Sequence, residues 1–131
     1  MSYLQNNRIE KKFSQLKSMK QKGLICYIMG GYPNSAACEK IISSIVDGGA
    51  DIIEIGIPFS DPIADGPVIQ EASFRALQNG ITPDKCLNLI KRTREKYPEL
   101  PIVIMTYSNI LKKTGFRKFM EMAKDAGTDG F

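Results

Sequence analysis

Short apolar runs alternate along the chain with longer stretches in which apolar residues recur every three or four positions. The short runs are rich in β-branched residues and are bounded by turn-forming residues, which is the pattern of buried strands. They cover residues 24–29, 51–57 and 101–107. The longer stretches predict amphipathic helices. They cover residues 35–46, 69–77, 82–96 and 115–126, and a further helix is predicted within residues 1–23.

Strands that alternate with helices pair in parallel, because each crossover is long enough to hold a helix. The sequence therefore predicts an α/β fold, in which Gly130 and Phe131 open a fourth strand. Two closures fit this order, a doubly wound open sheet and a (β/α)8 barrel. An open sheet usually carries a glycine-rich phosphate loop after its first strand, and residues 30–33 match neither fingerprint of that kind. This difference modestly favours the barrel.

The composition is that of a packed globular protein, with 43% hydrophobic and 24% charged residues. A chain of 131 residues is long enough for one domain with its own core, so a single domain is predicted over residues 1–131. No apolar run approaches the ~20 residues of a membrane span, and no apolar secretory leader is visible. We therefore expect a cytoplasmic protein without a membrane role.

The net charge of +4 is concentrated near the N-terminus. Residues 1–23 hold six basic residues against one acidic residue, Glu10, which leaves a charge of −1 for the rest of the chain. Apolar residues recur in this segment at helical spacing and predict an amphipathic helix with a solvated basic face. They are Ile9, Phe13, Leu16 and Met19. Because no recognition motif accompanies the charge, nucleic acid is not expected as a partner.

The chain contains no histidine and three widely spaced cysteines, Cys26, Cys38 and Cys86. An odd number of cysteines without histidine favours reduced structural thiols over a zinc site or a Cys–His dyad. Proton transfer near neutral pH must then come from carboxylates, lysines, tyrosines or thiols.

Glu54 is the one charged residue inside the apolar run 52–57. Successive side chains of a strand point to opposite faces, so Glu54 lies on the face opposite to Ile53 and Ile55, and in a barrel that face points to the interior. Desolvation there would disfavour the charged carboxylate and favour a group able to act as a general acid or base. The alternative is a structural carboxylate that is paired with a lysine or arginine.

Three aspartates lie within reach of Glu54 along the sequence. Asp51 begins the strand and is predicted to be structural, since it lies at the end of a barrel where residues usually serve stability. Asp61 and Asp65 follow the strand, on the face where barrel active sites are built, although both also stand in settings typical of turns. The loop lacks the spacing of an EF-hand, and no metal site is predicted.

The segment EIGIPFSDPIADGPVIQ, residues 54–70, resembles the signature of tryptophan synthase alpha chains. Residues 30–33, 48–50 and 105–109 resemble the same family in order and spacing, so the likeness runs over essentially the whole chain. The resemblance implies a (β/α)8 TIM barrel, of which this chain would form about the first half: an N-terminal helix, three strands and the start of a fourth.

The resemblance also implies an activity, the retro-aldol cleavage of indole-3-glycerol phosphate to indole and glyceraldehyde 3-phosphate in tryptophan biosynthesis. The family uses no metal and no organic cofactor in this reaction. By resemblance, Glu54 protonates C3 of the indole ring and removes the proton of the glycerol hydroxyl. Asp65 matches the aspartate that hydrogen-bonds the indole N–H and stabilises positive charge on the ring.

Two tyrosines and a docking surface also follow from the resemblance. Tyr27 and Tyr107 match positions that line the indole pocket, although Tyr27 stands where the family commonly has phenylalanine, and a role in the barrel core is the alternative. The docking surface would contact the tryptophan synthase beta chain, which carries PLP, in an alpha2beta2 heterotetramer. Its residues would be Pro58, Phe59, Ser60, Asp61, Pro62 and Asn109.

A complete (β/α)8 barrel takes ~250 residues, and the loops after strands 7 and 8 commonly hold a substrate phosphate. We therefore expect these 131 residues to be a fragment that is inactive as a lyase by itself, with strand edges that favour self-association. Two other functions fit the same residues. One is another phosphate-binding barrel lyase, including a relative that releases free indole without a beta chain. The other is a non-catalytic module that docks on a beta chain and activates it.

Overall fold

A computed structural model of the chain describes residues 7–131. The elements follow in the order α1 (Arg8–Ser18), β1 (Ile25–Met29), α2 (Ser35–Asp47), β2 (Ile52–Gly56), α3 (Pro67–Gln78), α4 (Pro83–Lys96), β3 (Ile102–Met105), α5 (Ser108–Thr114) and α6 (Phe116–Ala126). The predicted strands and helices are confirmed, with small shifts at their ends. Helix α5 was not predicted, because a helix of 7 residues is too short to show a clear helical period. Within residues 7–131 no helix combines the length and the apolar character that a membrane span requires.

The strands form a parallel sheet in the order β1-β2-β3. The register places Tyr27 beside Glu54 and Glu54 beside Val103. Beyond β3, Gly130 forms a parallel bridge with Val103, and its carbonyl accepts a hydrogen bond from the amide of Ile104 at 3.0 Å. The fourth strand therefore opens beside β3. A doubly wound sheet of the Rossmann order would return this strand to β1, so the observed order is that of the predicted barrel.

The two faces of the sheet differ in how far other residues cover them. Ile53, Ile55, Ile102 and Ile104 point toward the helices and are at most 1% exposed. On the other face Ile25 is 51% exposed and Met105 is 44% exposed, while Glu54 and Val103 are half-buried. The second face is the one that a closed barrel turns inward, and the described residues leave it partly open.

The inward stripe of helix α6 is narrower than the apolar pattern of residues 115–126. Phe119 and Ala123 are buried, and Ala126 continues the stripe one turn later. Phe116 and Met120 belong to the same apolar pattern, but they are 49% and 38% exposed. A stripe at i, i+4 and i+7 is enough to cover the core here, so the two neighbouring positions face outward.

Helix α1 lies against the amino ends of the strands and is held there by charge. Arg8 pairs with Asp129 at 2.9 Å, Lys11 pairs with Glu99 at 2.5 Å, and Lys12 pairs with Asp51 at 3.6 Å. Lys11 stays exposed in its pair, as predicted for a solvated basic face, whereas Arg8 and Lys12 are half-buried, which was not predicted. The charge of the helix balances acids at this end of the sheet.

Arg94 and Asp129 form the most buried ion pair of the described residues, at 2.6 Å, with side chains 13% and 5% exposed. Asp129 also accepts a hydrogen bond from the amide of Ile102 at 2.9 Å. Arg94 donates to the carbonyl oxygens of Leu100 and Gly127 at 2.6 Å and 2.8 Å. Burial lowers the pKa of Arg94, and the charge of Asp129 opposes that shift. The pair joins the end of α4 to β3 and to the chain that enters the fourth strand.

Replacing Asp129 with alanine should lower the free energy of unfolding by about 3 kcal/mol, because Arg94 would keep a buried charge without its carboxylate. Urea denaturation followed by circular dichroism measures the loss. Replacing Glu99 with alanine is the matched control, since the Lys11–Glu99 pair is exposed and should contribute little. Equal losses in the two variants would contradict the role given to the buried pair.

Candidate functional site

Glu54 lies in the middle of β2, on the face that points away from the helices, and its side chain is half-buried. Among residues 7–131 no lysine or arginine lies within ion-pair distance of it, and none donates it a hydrogen bond. The alternative of a structural ion pair therefore has no partner in the described part of the chain. A carboxylate without a partner, on a rigid strand, is available for chemistry.

Tyr27 lies directly beside Glu54, since the two residues are register partners in adjacent strands. Its ring extends over Gly56, where an added Cβ would lie only 2.1 Å from the tyrosine Oη. The pKa of Tyr27 is raised to about 12, first by burial and then by the charges of Asp65 and Glu54. Tyr27 is thus near both carboxylates and stays a neutral hydrogen-bond donor at physiological pH.

A cavity of about 230 Å³ opens next to Tyr27 and brings Asp65 and Tyr107 to the same place. Its apolar wall is formed by Met29, Ile57, Phe59 and Met105. Glu54 is not among the lining residues. Glu54 lies two residues before Gly56 on the same face of β2, beside Tyr27.

Asp65 is held by Tyr107. The Tyr107 hydroxyl donates to Oδ2 of Asp65 at 3.0 Å and accepts from the amide of Ala64 at 3.1 Å. Desolvation raises the pKa of Tyr107, and the hydrogen bond to Asp65 also raises it, so the hydroxyl stays a donor. Within residues 7–131 no side chain donates to the other carboxylate oxygen of Asp65. That oxygen is free to accept a donor from a ligand.

The two other aspartates behave differently. Asp51 accepts a hydrogen bond from the amide of Leu24 at 2.9 Å and pairs with Lys12, which confirms its predicted structural role at the far end of β2. Asp61 is exposed and does not line the cavity. The structure therefore brings Asp65, and not Asp61, to Tyr27 and Tyr107.

A separate groove of about 330 Å³ lies outside the cavity and contains four of the residues predicted to dock on a partner. They are Pro58, Phe59, Ser60 and Asn109, with Asn109 placed there by helix α5. Pro58 is buried, so it supports the groove more than it offers surface, while Ser60 and Asn109 are exposed. Asp61 and Pro62, which were predicted with them, do not line the groove.

Ser73 lines the cavity and falls on the apolar stripe of the predicted helix 69–77, a position to which the sequence assigned no role. It is 1% exposed and lies on α3. Its hydroxyl donates to the carbonyl of Phe59 at 3.0 Å and accepts from the amide of Phe59 at 2.9 Å. A hydroxyl among the apolar residues of that stripe was the only sequence signal, and its partner 14 residues away was not visible.

The cysteines are free thiols and do not line the cavity. Burial raises the pKa of Cys86 to about 12 and also raises the pKa of Cys38, so both are weak nucleophiles near neutral pH. Within residues 7–131 no group of three His, Cys, Asp or Glu side chains is placed to hold a metal ion.

Known proteins of one family match most of this chain. A family model described as tryptophan synthase alpha chain matches residues 13–131. The tryptophan synthase alpha chain of Halorhodospira halophila is 47% identical over 124 residues, which are 95% of this chain and 45% of the relative. That of Aquifex aeolicus is 43% identical over 124 residues, which are 95% of this chain and 47% of the relative. The chain thus spans about half the length of the relatives that it matches.

Solved structures give the same result. A protein from Aquifex aeolicus superposes with a TM-score of 0.94 at 42% identity, over 96% of this chain and 50% of that chain. Tryptophan synthase subunit alpha from Legionella pneumophila superposes with a TM-score of 0.93 at 41% identity, over 95% and 48%. Tryptophan synthase from M. tuberculosis superposes with a TM-score of 0.87 at 31% identity, over 94% and 49%. The barrel fold predicted from the resemblance is confirmed.

Replacing Gly56 with alanine should destabilise the protein by about 2 kcal/mol, because the new methyl group would overlap Tyr27 in a packed region. Chemical denaturation measures the change. Gly66→Ala is the matched control, since an added Cβ there meets open space and the backbone φ of −78° is an ordinary value. In a Tyr27→Phe background the cost at Gly56 should shrink, and an unchanged cost would show that the tyrosine is not the obstacle.

Tyr27 should lose its proton near pH 12 in an alkaline titration followed by the ultraviolet absorbance of tyrosinate. Its pKa is raised from 10.0 to about 12, so it stabilises the fold below pH 10 and this contribution is lost as the pH rises toward 12. Tyr27→Phe should remove the titration step near pH 12, whereas Tyr97→Phe should leave it in place. Survival of this step in Tyr27→Phe would contradict the assignment.

Proposed function

The chain belongs to the tryptophan synthase alpha chain family, and we propose that it supplies the two carboxylates of a lyase that cleaves indole-3-glycerol phosphate to indole and glyceraldehyde 3-phosphate. One observation carries the proposal. Glu54, which has no partner among the described residues, is the register partner of Tyr27, and Tyr27 and Asp65 line the same cavity with apolar walls.

Glu54 is proposed to be the general acid and base. In the proposed reaction it gives a proton to C3 of the indole ring and takes the proton of the glycerol hydroxyl on the adjacent carbon. The bond between the ring and that carbon breaks, its electrons return to the ring, and the hydroxyl carbon becomes the aldehyde. The step needs no oxidant and no metal. The place of Glu54 beside Tyr27, which lines the cavity, brings the carboxyl group close to the proposed site of the ring.

Asp65 is proposed to bind the indole N–H with its free carboxylate oxygen. The positive charge that develops on the ring when C3 is protonated would be stabilised by this anion. The cavity volume of about 230 Å³ and its wall of Met29, Phe59 and Met105 suit a flat aromatic ring. Tyr27 and Tyr107 are proposed to line the pocket for that ring.

The partner and cofactor are proposals of the same kind. We propose a tryptophan synthase beta chain as the partner, in an alpha2beta2 heterotetramer, with the groove at Ser60 and Asn109 as part of the docking surface. Both side chains are exposed. The groove shares Phe59 with the cavity, so a partner bound in the groove would contact a residue that also lines the cavity. The reaction proposed for this chain uses protein carboxylates without a cofactor, and PLP is assigned to the beta chain.

A second function, a non-catalytic module that docks on a beta chain and activates it, is supported by the same exposed groove. The two proposals differ in what they require of Glu54. A module needs only the groove, whereas a lyase needs the carboxyl group. The open inner face of the sheet favours the lyase, because that face holds Glu54 and would be surplus in a module that docks through its loops.

The lyase proposal predicts that Glu54→Gln lowers kcat for indole release by roughly a thousandfold, the size of effect expected when a general acid and base is removed. Since the chain spans about half the length of its relatives, the assay joins it to the remaining half of the Aquifex aeolicus alpha chain. The 131 residues by themselves should release little indole, because barrel enzymes commonly hold a substrate phosphate with later loops.

Glu71→Gln is the matched control for this assay. Glu71 lies on α3, where its exposed carboxylate pairs with Arg75 at 2.6 Å, and its loss should leave kcat unchanged. If Glu54→Gln in the joined barrel keeps full turnover, the lyase mechanism is wrong. If the joined barrel stimulates a beta chain but never releases indole, the module function is supported instead.

A further inference from the structure

We propose that Ser73 is a positioning residue for Asp65, which acts from helix α3 through Phe59 and Tyr107. The inference rests on the proposed function only where it assigns the cavity to an indole ring. The contacts that carry it belong to the protein itself. They run from a buried hydroxyl on the helix to a carboxylate on the loop that precedes the helix.

The first contact fixes the start of the loop. The Ser73 hydroxyl donates to the carbonyl of Phe59 and accepts from the amide of the same residue, at 3.0 Å and 2.9 Å. Ser73 is 1% exposed and sits between Ala72 and Ala76 in the buried stripe of α3. Both polar groups of the Phe59 backbone would lose these partners if the hydroxyl were removed, and unpaired buried groups are costly. The hydroxyl therefore anchors residue 59 in two directions at once.

The second contact passes from the loop to the residues that follow β3. The ring of Phe59 packs on the ring of Tyr107, with centroids 5.0 Å apart and planes tilted by 32°. This is a favourable distance for an aromatic pair, so Phe59 supports the Tyr107 ring. Both rings line the same cavity, so a shift of Phe59 would change the place of Tyr107.

The third contact reaches Asp65. The Tyr107 hydroxyl donates to Oδ2 of Asp65 and accepts from the amide of Ala64. On the other side, Gln70 of α3 donates to the carbonyl of Asp65 at 2.8 Å. Helix α3 thus holds both ends of the loop, at Phe59 through Ser73 and at Asp65 through Gln70. The carboxylate is held between β3 and the helix even though it lies on a loop.

The test compares Ser73→Ala with the wild-type chain by amide hydrogen exchange. We expect exchange at Ala64 to rise by about tenfold, as when one hydrogen-bonded contact is weakened, because Tyr107 would lose its support. A role confined to local packing would raise exchange at Phe59 alone. Indole titrated into the same samples should bind about tenfold more weakly to Ser73→Ala, in line with a misplaced Asp65.

Ser44→Ala is the matched control. Ser44 is an exposed helical serine whose hydroxyl donates to the carbonyl of Lys40 at 3.1 Å, and its loss should change neither Ala64 exchange nor indole binding. Ser73→Thr keeps the hydroxyl and should restore most of the protection at Ala64. Should Ser73→Ala fail to fold, Ser73→Cys keeps the volume while weakening both hydrogen bonds, and the same rise at Ala64 is expected.

A double-mutant cycle with Tyr107→Phe tests whether Ser73 acts on Asp65 through Tyr107. Tyr107→Phe by itself should raise Ala64 exchange, and adding Ser73→Ala should raise it little further if Ser73 acts through Tyr107. Unchanged Ala64 exchange in folded Ser73→Ala, or fully additive effects in the cycle, would overturn the proposal. If exchange responds as expected but the joined barrel neither binds nor releases indole, Ser73 still positions Asp65 and the proposed function is what fails.

Discussion

The alternation of side chains along β2 is the constraint on which the site depends. Ile53 and Ile55 are fully buried against the helices, so Glu54 and Gly56 must face the opposite way. A slip of one residue would place Glu54 in the helix-covered core without a partner and would expose the isoleucines, at a high cost in free energy. The packing that stabilises the sheet therefore also determines where the carboxylate points.

Parallel pairing of the strands brings the other residues of the site close to Glu54. Tyr27 lies beside Glu54 in the register, and Gly56 lacks the side chain that would block the tyrosine ring. The loop after β2 then returns Asp65 to the same edge, where Tyr107 from the end of β3 receives it. The two carboxylates thus differ in support, since Glu54 belongs to a rigid strand and Asp65 depends on contacts made by a loop. This difference suits the proposed roles, in which Glu54 reacts and Asp65 adjusts to a ligand.

How much of this could be predicted depends on the distance between partners in the sequence. The strands and the direction of Glu54 follow from local alternation, which needs no knowledge of the fold. The selection of Asp65 over Asp61 came from resemblance alone, because both aspartates stand in similar turn settings. The pairing of Ser73 with Phe59 and of Arg94 with Asp129 spans 14 and 35 residues, and no local pattern reports contacts that only the folded chain creates. Helix α5 escaped prediction for the opposite reason, since its local signal is too short.

Three of the six basic residues near the N-terminus have acidic partners in the structure. Arg8, Lys11 and Lys12 meet Asp129, Glu99 and Asp51, acids that lie at the amino ends of the strands or in the turn before β3. Barrel proteins usually place stability at this end and chemistry at the carboxyl end, and the two sets of charged residues here are divided in that way. Paired charges hold helix α1 and the entry to the fourth strand at one end of the sheet. In the middle of β2 Glu54 remains without a partner among the described residues, and this is the observation that supports its proposed role toward a ligand.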